Sequence, residues 1–183
     1  SDLWNVYEKL TDAGDNWEYM DEWNFIHHIP KVNGNWFSLV KHPLEEVENI
    51  SSYDIENFNW PMASDKRRIA GLREKALQFR EQGKLVVLKG LCAGIFEMHQ
   101  RLRGMSNALV EPFVYPDLSD RIAGKLADLK IGFWELALEE LSDLVDVIYE
   151  GDDYGSQDSQ LISPDHFRKY YKPHLQRVIS FIR

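Results

Sequence analysis

The sequence predicts an α/β fold in which an N-terminal β-hairpin is followed by βα units with parallel strands. Three observations lead to this prediction. A turn signal, Asn33-Gly34, separates two runs of aromatic and β-branched residues. Two short apolar runs, at residues 84–89 and 144–149, have the length and composition of buried strands. Helical periodicity separates these two runs, and strands joined through a helical crossover pair in parallel.

The predicted hairpin extends over residues 22–40. Its adjacent histidines, His27 and His28, point to opposite faces of a strand, so we do not expect them to share a metal ion. Three tryptophans lie in or near the hairpin, and we interpret them as packing it against the rest of the domain, because large aromatic side chains stabilise mainly through burial. The alternative is a surface for a ligand or a partner. The three are Trp23, Trp36 and Trp60.

Residues 42–62 predict an irregular connection around a short helix at 44–50, since the stretch has acids, two prolines and no sustained period. A longer helix follows, with Ser64 as its N-cap and Gly83 after its end. The basic run at residues 66–68 falls in its first turn and predicts a solvated face. The apolar positions of this helix recur at three- and four-residue steps: Ile69, Leu72, Ala76 and Phe79.

The strand predicted at residues 84–89 has an apolar centre typical of parallel sheets that are covered on both faces. The loop GLCAGIFE, residues 90–97, leads from it into the next helix. Gly90 and Gly94 would let the backbone approach a ligand closely, and the free amides of the first helical turn could hold an anion. The alternative is a simple tight connection.

The clearest amphipathic stripe of the chain predicts a long helix before the strand at residues 144–149. That strand runs into EGDDYGSQDSQLISP, a loop with four acids at residues 150–164. Ser163 is the expected N-cap of the last helix, with Pro164 at its first position, and Pro173 should kink or divide this helix. The stripe comprises Leu118, Ile122, Leu126, Leu129, Phe133 and Leu136.

Composition excludes some classes of function. The 183 residues, 44% hydrophobic and 28% charged, suit one globular domain. The net charge of −9 argues against nucleic acid or an anionic membrane as the main partner. The single cysteine, Cys92, excludes an intrachain disulfide, and a reducing cytoplasm is the expected location. No apolar stretch has the length of a membrane helix, and the start, SDLWNVYEKL, resembles a cut end rather than a natural beginning.

Two blocks of the sequence resemble the uroporphyrinogen decarboxylase superfamily. The first is GIFEMHQRLRG, residues 94–104, with VYPDLSDRIAGKLADLKIGFWELAL after it, and the second is VDVIYEGDDYGSQDSQLISPDHFRKYYKPHLQRVI. The resemblance implies a (β/α)8 barrel in which residues 84–88 and 144–149 are barrel strands. The chain looks like the middle part of such a barrel. We therefore predict a single incomplete domain over 1–183, with the hairpin and connection at 1–63 and the βα units at 64–183.

Active sites of such barrels lie at the loops that follow the strands. The resemblance therefore places the acidic loop, residues 150–158, on the catalytic rim beside residues 90–94. Acids there could hold donor groups of a substrate or partner, or shuttle a proton. The alternative is that Asp152, Asp153 and Asp158 are solvated loop and capping residues. The candidate substrate-binding residues are Gly94, Phe96, Gln100, Glu150, Asp152, Asp153 and Gln157.

Two departures from the decarboxylase pattern favour the methyltransferase-like branch of anaerobic bacteria. Gly94-Ile95-Phe96 and Gln100 stand where decarboxylases have a proline-aromatic-threonine motif and a tyrosine, and the acidic loop is longer. This branch moves a methyl group between a corrinoid protein and a thiol held by zinc. The resemblance puts the zinc ligands after Arg183, and the catalytic aspartate of a decarboxylase before Ser1. We expect no cofactor within this segment and no activity from it alone.

Two other interpretations stay open. The first is a decarboxylase segment acting on a tetrapyrrole, and the second is a non-catalytic half-barrel that binds a partner chain or associates with itself. Among the remaining polar residues, Cys92 is expected in the core and His99 in a satisfied helical position. His166 and His174 fall on the last helix, where no chemistry is expected.

Overall fold

The computed structural model describes residues 9–46 and 52–183. It is a mixed α/β structure that contains an antiparallel sheet and a parallel one. The chain divides into two compact units. The first contains the chain up to Pro61 together with His99–Ser119, and the second contains Met62–Met98 and Asp120–Arg183.

The first unit contains a four-stranded antiparallel sheet in sequence order: β1 Thr11–Ala13, β2 Asn16–Met20, β3 Ile26–Pro30 and β4 Ser38–Lys41. The predicted hairpin is present as β3 and β4, where His27 pairs with Leu39 and His28 with Ser38. Its connection is longer than the expected tight turn, although Asn33 has the left-handed conformation that such a turn signal implies (φ 57°).

The two histidines of β3 have different acidic partners, in agreement with their placement on opposite faces of the strand. His27 Nε2 lies 2.9 Å from an Asp21 carboxylate oxygen, and His28 Nε2 lies 2.9 Å from Glu18. The second carboxylate oxygen of Asp21 accepts the backbone amides of Trp23 and Phe25. Asp21 therefore fixes the turn that joins β2 to β3.

The tryptophans of the first unit behave differently from one another. Trp23 is buried, stacks on Phe25 and meets the edge of Trp60, whose indole N–H donates to the Ile55 carbonyl at 2.7 Å. Trp23 and Trp60 therefore pack against residues of their own unit, and their packing against the rest of the domain stays a prediction. The prediction of packing is wrong for Trp36, which is 80% exposed in the long β3–β4 connection.

The helices of the first unit are α1 Ser52–Asn57, the second part of α3 Ile95–Arg103, and α4 Met105–Val114. The short helix predicted at 44–50 falls partly outside the described residues, and residues 43–46 form turns. Arg103 and His99 of α3 are bonded to Glu111 of α4, and Arg103 also donates to the Leu44 carbonyl. All three side chains are buried, so this network joins the two helices.

The second unit begins with a 3-10 turn, Lys66–Arg68, followed by α2 Leu72–Glu81. The predicted Ser64 cap is wrong, because Asp65 caps the 3-10 turn by accepting the Arg67 backbone amide at 2.9 Å. Arg68 is buried and donates to the Met62 carbonyl, which also departs from the solvated face expected for the basic run.

Strands β5 Val87–Lys89 and β6 Val147–Tyr149 pair in parallel, as predicted from their helical crossover. A small apolar cluster of Ala76, Val86 and Leu144 lies at their start. The prediction that the sheet is covered on both faces is wrong for the described residues, since Val87 is 58% exposed and Val147 and Tyr149 are also exposed.

The crossover includes α5 Pro116–Leu141, the long helix that the amphipathic stripe predicted. Its buried side is wider than that stripe and includes Ala123, Ala127, Lys130, Trp134 and Ala137. None of the described helices has the length and apolar character needed to cross a membrane.

The C-terminal helical segment confirms both predictions made for it. The Ser163 hydroxyl accepts the His166 amide at 3.2 Å, and Pro164 starts α6 Pro164–His166. A π-helical turn, Phe167–Tyr171, then separates α6 from α7 Lys172–Ile182. Pro173 lies in the first turn of α7, where a missing amide is tolerated, so the segment is divided there.

Candidate functional site

The candidate site lies in the second unit, where β5 and β6 end side by side. The loops that follow these strands begin at Gly90 and Glu150, and the Gly90 amide donates to the Tyr149 carbonyl at 3.0 Å. The parallel pairing therefore continues for one residue beyond the strands. It brings the glycine loop, residues 90–94, against the start of the acidic loop, as the sequence predicted.

Glu150 is the centre of a buried polar cluster. One of its carboxylate oxygens accepts Lys130 Nζ at 2.6 Å, and the other accepts the Trp134 indole N–H at 2.6 Å. The side chains of Lys130 and Glu150 are only 1% and 7% exposed. Lys130 also donates to the Cys92 carbonyl at 3.4 Å, so one ammonium group contacts both loops. We call Glu150, Lys130 and Trp134 the Glu150 centre.

The two glycines of the first loop leave room for carboxylates. A Cβ atom at Gly90 would overlap the Glu150 carboxylate, and one at Gly94 would overlap the side chain of Asp152. Asp152 accepts the backbone amides of Phe96 and Glu97 at 3.0 and 2.9 Å. The helix amides that were expected to hold a ligand anion are therefore bonded to a carboxylate of the chain itself.

Tyr154, two residues after Asp152, packs its ring between two phenylalanines. Its ring stacks on Phe96 with centroids 5.8 Å apart and meets the edge of Phe167 at 4.9 Å. Burial raises the pKa of the Tyr154 phenol, and the negative charge of Asp152 raises it further. The phenol is thereby held neutral, next to the carboxylate that caps α3.

The structure brings together four of the seven predicted site residues: Gly94, Phe96, Glu150 and Asp152. Phe96 is fully buried and contacts the loop through its ring. Asp153 is exposed, which fits the alternative of a solvated loop residue. Gln157 is also exposed, in a turn that Ser156 and Ser159 close with hydrogen bonds. Gln100 belongs to the first unit, where its amide nitrogen is buried without a described hydrogen-bond partner.

Other polar residues considered from the sequence lie away from the Glu150 centre or have structural partners. His99 is bonded to Glu111 in the first unit, which agrees with a satisfied helical position. His174 is bonded to Asp120 at 2.8 Å, and the His166 ring stacks on Tyr171. Cys92 is partly buried and contributes its backbone carbonyl to Lys130.

Lys130 and Trp134 were missed by the sequence prediction. Both belong to a run of buried α5 residues spaced by alternating steps of four and three: Ala123, Ala127, Lys130, Trp134, Ala137 and Leu141. A lysine within such a run is a usable signal, because a buried ammonium group requires a charged or hydrogen-bonded partner. The partner is Glu150, at the end of the next strand.

The arrangement holds a carboxylate in a fixed orientation at the ends of two parallel strands. Each of its oxygens accepts a hydrogen bond from α5, and its side chain is only 7% exposed, so little of the carboxylate is open to a substrate. In its present arrangement the centre fixes the shape of the loop edge.

No protein-family model matches the sequence, and no curated protein or solved structure matches it either.

Proposed function

We propose that this chain is part of an enzyme of the uroporphyrinogen decarboxylase superfamily, in its methyltransferase-like branch. In this proposal the second unit contributes part of a (β/α)8 barrel, and the reaction moves a methyl group between a corrinoid protein and a thiol. One observation carries the proposal: the loops after β5 and β6 lie against each other, with the Glu150 carboxylate between them. Enzymes built on such barrels place their substrates at this end of the strands.

The residues of the loop edge have two roles in this proposal. Glu150 and Asp152 are fully engaged by the protein and set the backbone path of the two loops. The exposed residues Asp153 and Gln157 present a carboxylate and an amide to a substrate or to the corrinoid partner. Glu150 and Asp152 therefore position the loops, and Asp153 and Gln157 contact the substrate or the partner.

The zinc that the resemblance implies does not fit the residues described. Zinc sites in enzymes use at least three protein ligands. Within residues 9–46 and 52–183, no group of three His, Cys, Asp or Glu side chains is arranged to hold a metal ion. We therefore assign no step that involves the metal to these residues. Their part of the reaction is binding and orientation.

A second candidate function is a non-catalytic half-barrel that binds a partner chain. It is favoured by the parallel sheet, in which the described strands β5 and β6 pair only with each other. Parallel sheets are normally covered on both faces, yet Val87, Val147 and Tyr149 are exposed. Val147 pairs with Val87, so their side chains share one face of the sheet, and a partner that packs on this face would cover them.

The test uses the longest natural polypeptide that contains this sequence. Methyl transfer from methylcobalamin to a small thiol would be measured, together with the release of carbon dioxide from uroporphyrinogen. Glu150→Gln is the test variant, and Glu139→Gln on the exposed side of α5 is the matched control. We expect methyl transfer that falls at least about tenfold in Glu150→Gln and is unchanged in the control, because misplaced active-site groups cost this much or more.

The other outcomes separate the alternatives. Release of carbon dioxide without methyl transfer would contradict our proposal and identify a decarboxylase. If neither reaction occurs and the protein forms a stable complex with another chain, the half-barrel function is the correct one. Equal losses in both variants would show that Glu150 has no special role at the site.

A further inference from the structure

The first unit contains a groove of about 480 Å³ beside the β3–β4 connection. Residues 35–39 form one side of it, with His27 of β3 and Arg101 of α3 on the others. A volume of this order suits one small organic molecule. The groove belongs to the first unit and shares no residue with the Glu150 centre.

The groove presents two aromatic rings of different character. Trp36 is 80% exposed, whereas Trp23 and Trp60 of the same unit pack into its core. Phe37 is held in place by the edge of Tyr19, with ring centroids 6.5 Å apart, and Tyr19 in turn stacks on His27. Phe37 is therefore supported from within the unit, and the exposed indole of Trp36 is a surface on which a flat ring can stack.

The polar groups of the groove favour a ligand that carries a negative charge. Acids make up 30 of the 183 residues of the chain, but none of those in the described ranges lines the groove. The charged lining residue is Arg101, whose guanidinium is a planar donor suited to carboxylate, sulfonate or phosphate groups. Asn35 adds an amide donor, and the neighbouring carboxylate of Asp21 is bonded to His27.

We propose that this groove binds a flat aromatic ligand that carries an acidic group, with the ring on Trp36 and the acid at Arg101. The inference does not depend on the proposed methyl transfer, because it rests on another unit and on other residues. The ligand would gain apolar contact with the indole and a charge-assisted hydrogen bond to the guanidinium.

Two fluorescent probes with the same ring system test the proposal. 1-Anilinonaphthalene-8-sulfonate carries an acidic group, and N-phenyl-1-naphthylamine does not. Each is titrated into the protein at low salt, and the indole N–H signal of Trp36 is followed by NMR. The variants are Trp36→Ala, Arg101→Gln and the control Val32→Ala, which changes an apolar residue of the same connection that is 78% exposed and outside the groove.

We expect one sulfonate probe per chain, with a shift of the Trp36 signal. The neutral probe should bind about tenfold more weakly, because a charged hydrogen bond contributes roughly this factor. Trp36→Ala should weaken the sulfonate probe at least about tenfold by removing the stacking surface, and Val32→Ala should leave it unchanged. Arg101→Gln should make the two probes bind equally.

Three results would overturn the proposal. The first is equal binding of both probes to the unaltered protein, and the second is equal binding of the sulfonate probe to the Trp36→Ala and Val32→Ala variants. The third is a Trp36 signal that moves with protein concentration but not with either probe, which would show that a second copy of the chain covers the indole. Trp36→Ala keeps the test valid even if Arg101→Gln fails to fold, since the Trp36 side chain is almost fully exposed.

Discussion

Each unit contains a buried carboxylate that is bonded to basic or ring N–H groups, and the two differ in where their partners come from. Glu111, in the first unit, is bonded to His99 and Arg103, which lie 12 and 8 residues earlier in the sequence on the neighbouring helix. Glu150, in the second unit, is bonded to Trp134 and Lys130 across the connection from α5 to β6. Glu111 joins two consecutive helices, whereas Glu150 joins a helix to a strand end and, through Lys130, to a second loop.

This difference separates a structural role from a candidate functional one. The Glu111 network joins one helix to the next, and its Arg103 also holds the Leu44 carbonyl in a turn of the first unit. The Glu150 centre lies where two parallel strands end, and the backbone there depends on it directly, because Lys130 also holds the Cys92 carbonyl. Burial of a charged group is therefore weak evidence for function on its own. The position of the charged group relative to strand ends and loops provides the additional evidence for a functional role.

The largest effect is expected from removing the charge of Glu150. Glu150→Gln leaves the Lys130 ammonium buried without its counter-charge, which should lower the free energy of unfolding by about 3–5 kcal/mol. Because Lys130 also bonds the Cys92 carbonyl, backbone amides of residues 90–94 should exchange faster with solvent. Urea unfolding and hydrogen exchange measure the two effects.

Glu111→Gln is the matched comparison in the first unit. It should lower the free energy of unfolding by a similar amount, since Arg103 and His99 are equally buried, but it should leave exchange at residues 90–94 unchanged. Glu139→Gln on the exposed side of α5 should affect neither quantity. If Glu111→Gln accelerates exchange at residues 90–94 as strongly as Glu150→Gln does, the proposed separation of roles is wrong.

A smaller effect is expected from filling the space at Gly94. Gly94→Ala places a methyl group where the Asp152 side chain lies, so the carboxylate must leave the α3 amides or the loop must shift. We expect a loss of about 1–3 kcal/mol in the free energy of unfolding, as for overpacked positions. The control is Gly132→Ala within α5, where the nearest atom outside the helix, Ala63 Cβ, is 3.8 Å away. This variant should gain about 0.5–1 kcal/mol from helix propensity, and a loss there as large as that at Gly94 would contradict the steric argument.

Sequence reasoning succeeded for features that depend on local chemistry. The apolar runs, the Ser163-Pro164 start and the parallel pairing of β5 and β6 follow from composition and spacing, whereas the position of the acidic loop beside residues 90–94 was implied by the resemblance. Strands β1 and β2 were not predicted, because TDAGDNWEYM is short and polar, and β2 pairs with the distant β3 as well as with β1. Lys130 was missed for the same reason, since a lysine on an amphipathic helix is normally solvated and its burial depends on tertiary contacts.

On the alkaline side, the Tyr154→Phe variant isolates the contribution of one tyrosine of the second unit. Because the folded-state pKa of Tyr154 is raised above its ordinary value of 10.0, this tyrosine ionises more readily in the unfolded chain. Its contribution is fully present below pH 10 and is lost as the pH rises, by at most about 1.4 kcal/mol per pH unit. The difference in unfolding free energy between the unaltered protein and Tyr154→Phe should therefore fall above pH 10. Tyr115→Phe, at an exposed tyrosine, should leave the slope of the unaltered protein unchanged, and an equal slope for the protein and Tyr154→Phe would contradict the prediction.

On the acidic side, the Glu111→Gln variant isolates the contribution of one carboxyl group of the first unit, and the expected effect is the smallest. Burial of the Glu111 carboxyl raises its pKa, but the hydrogen bonds and charges of His99 and Arg103 outweigh this and leave the pKa below its ordinary value of 4.5. A carboxyl with a lowered folded-state pKa contributes stability above its unfolded value, and this contribution is lost as the pH falls through the folded value. The difference in unfolding free energy between the unaltered protein and Glu111→Gln should therefore be largest above pH 4.5 and should narrow at lower pH. A difference that widens as the pH falls would mean that burial, rather than the bonds from α3, determines the charge of Glu111, and the network would then stabilise the helices by packing alone.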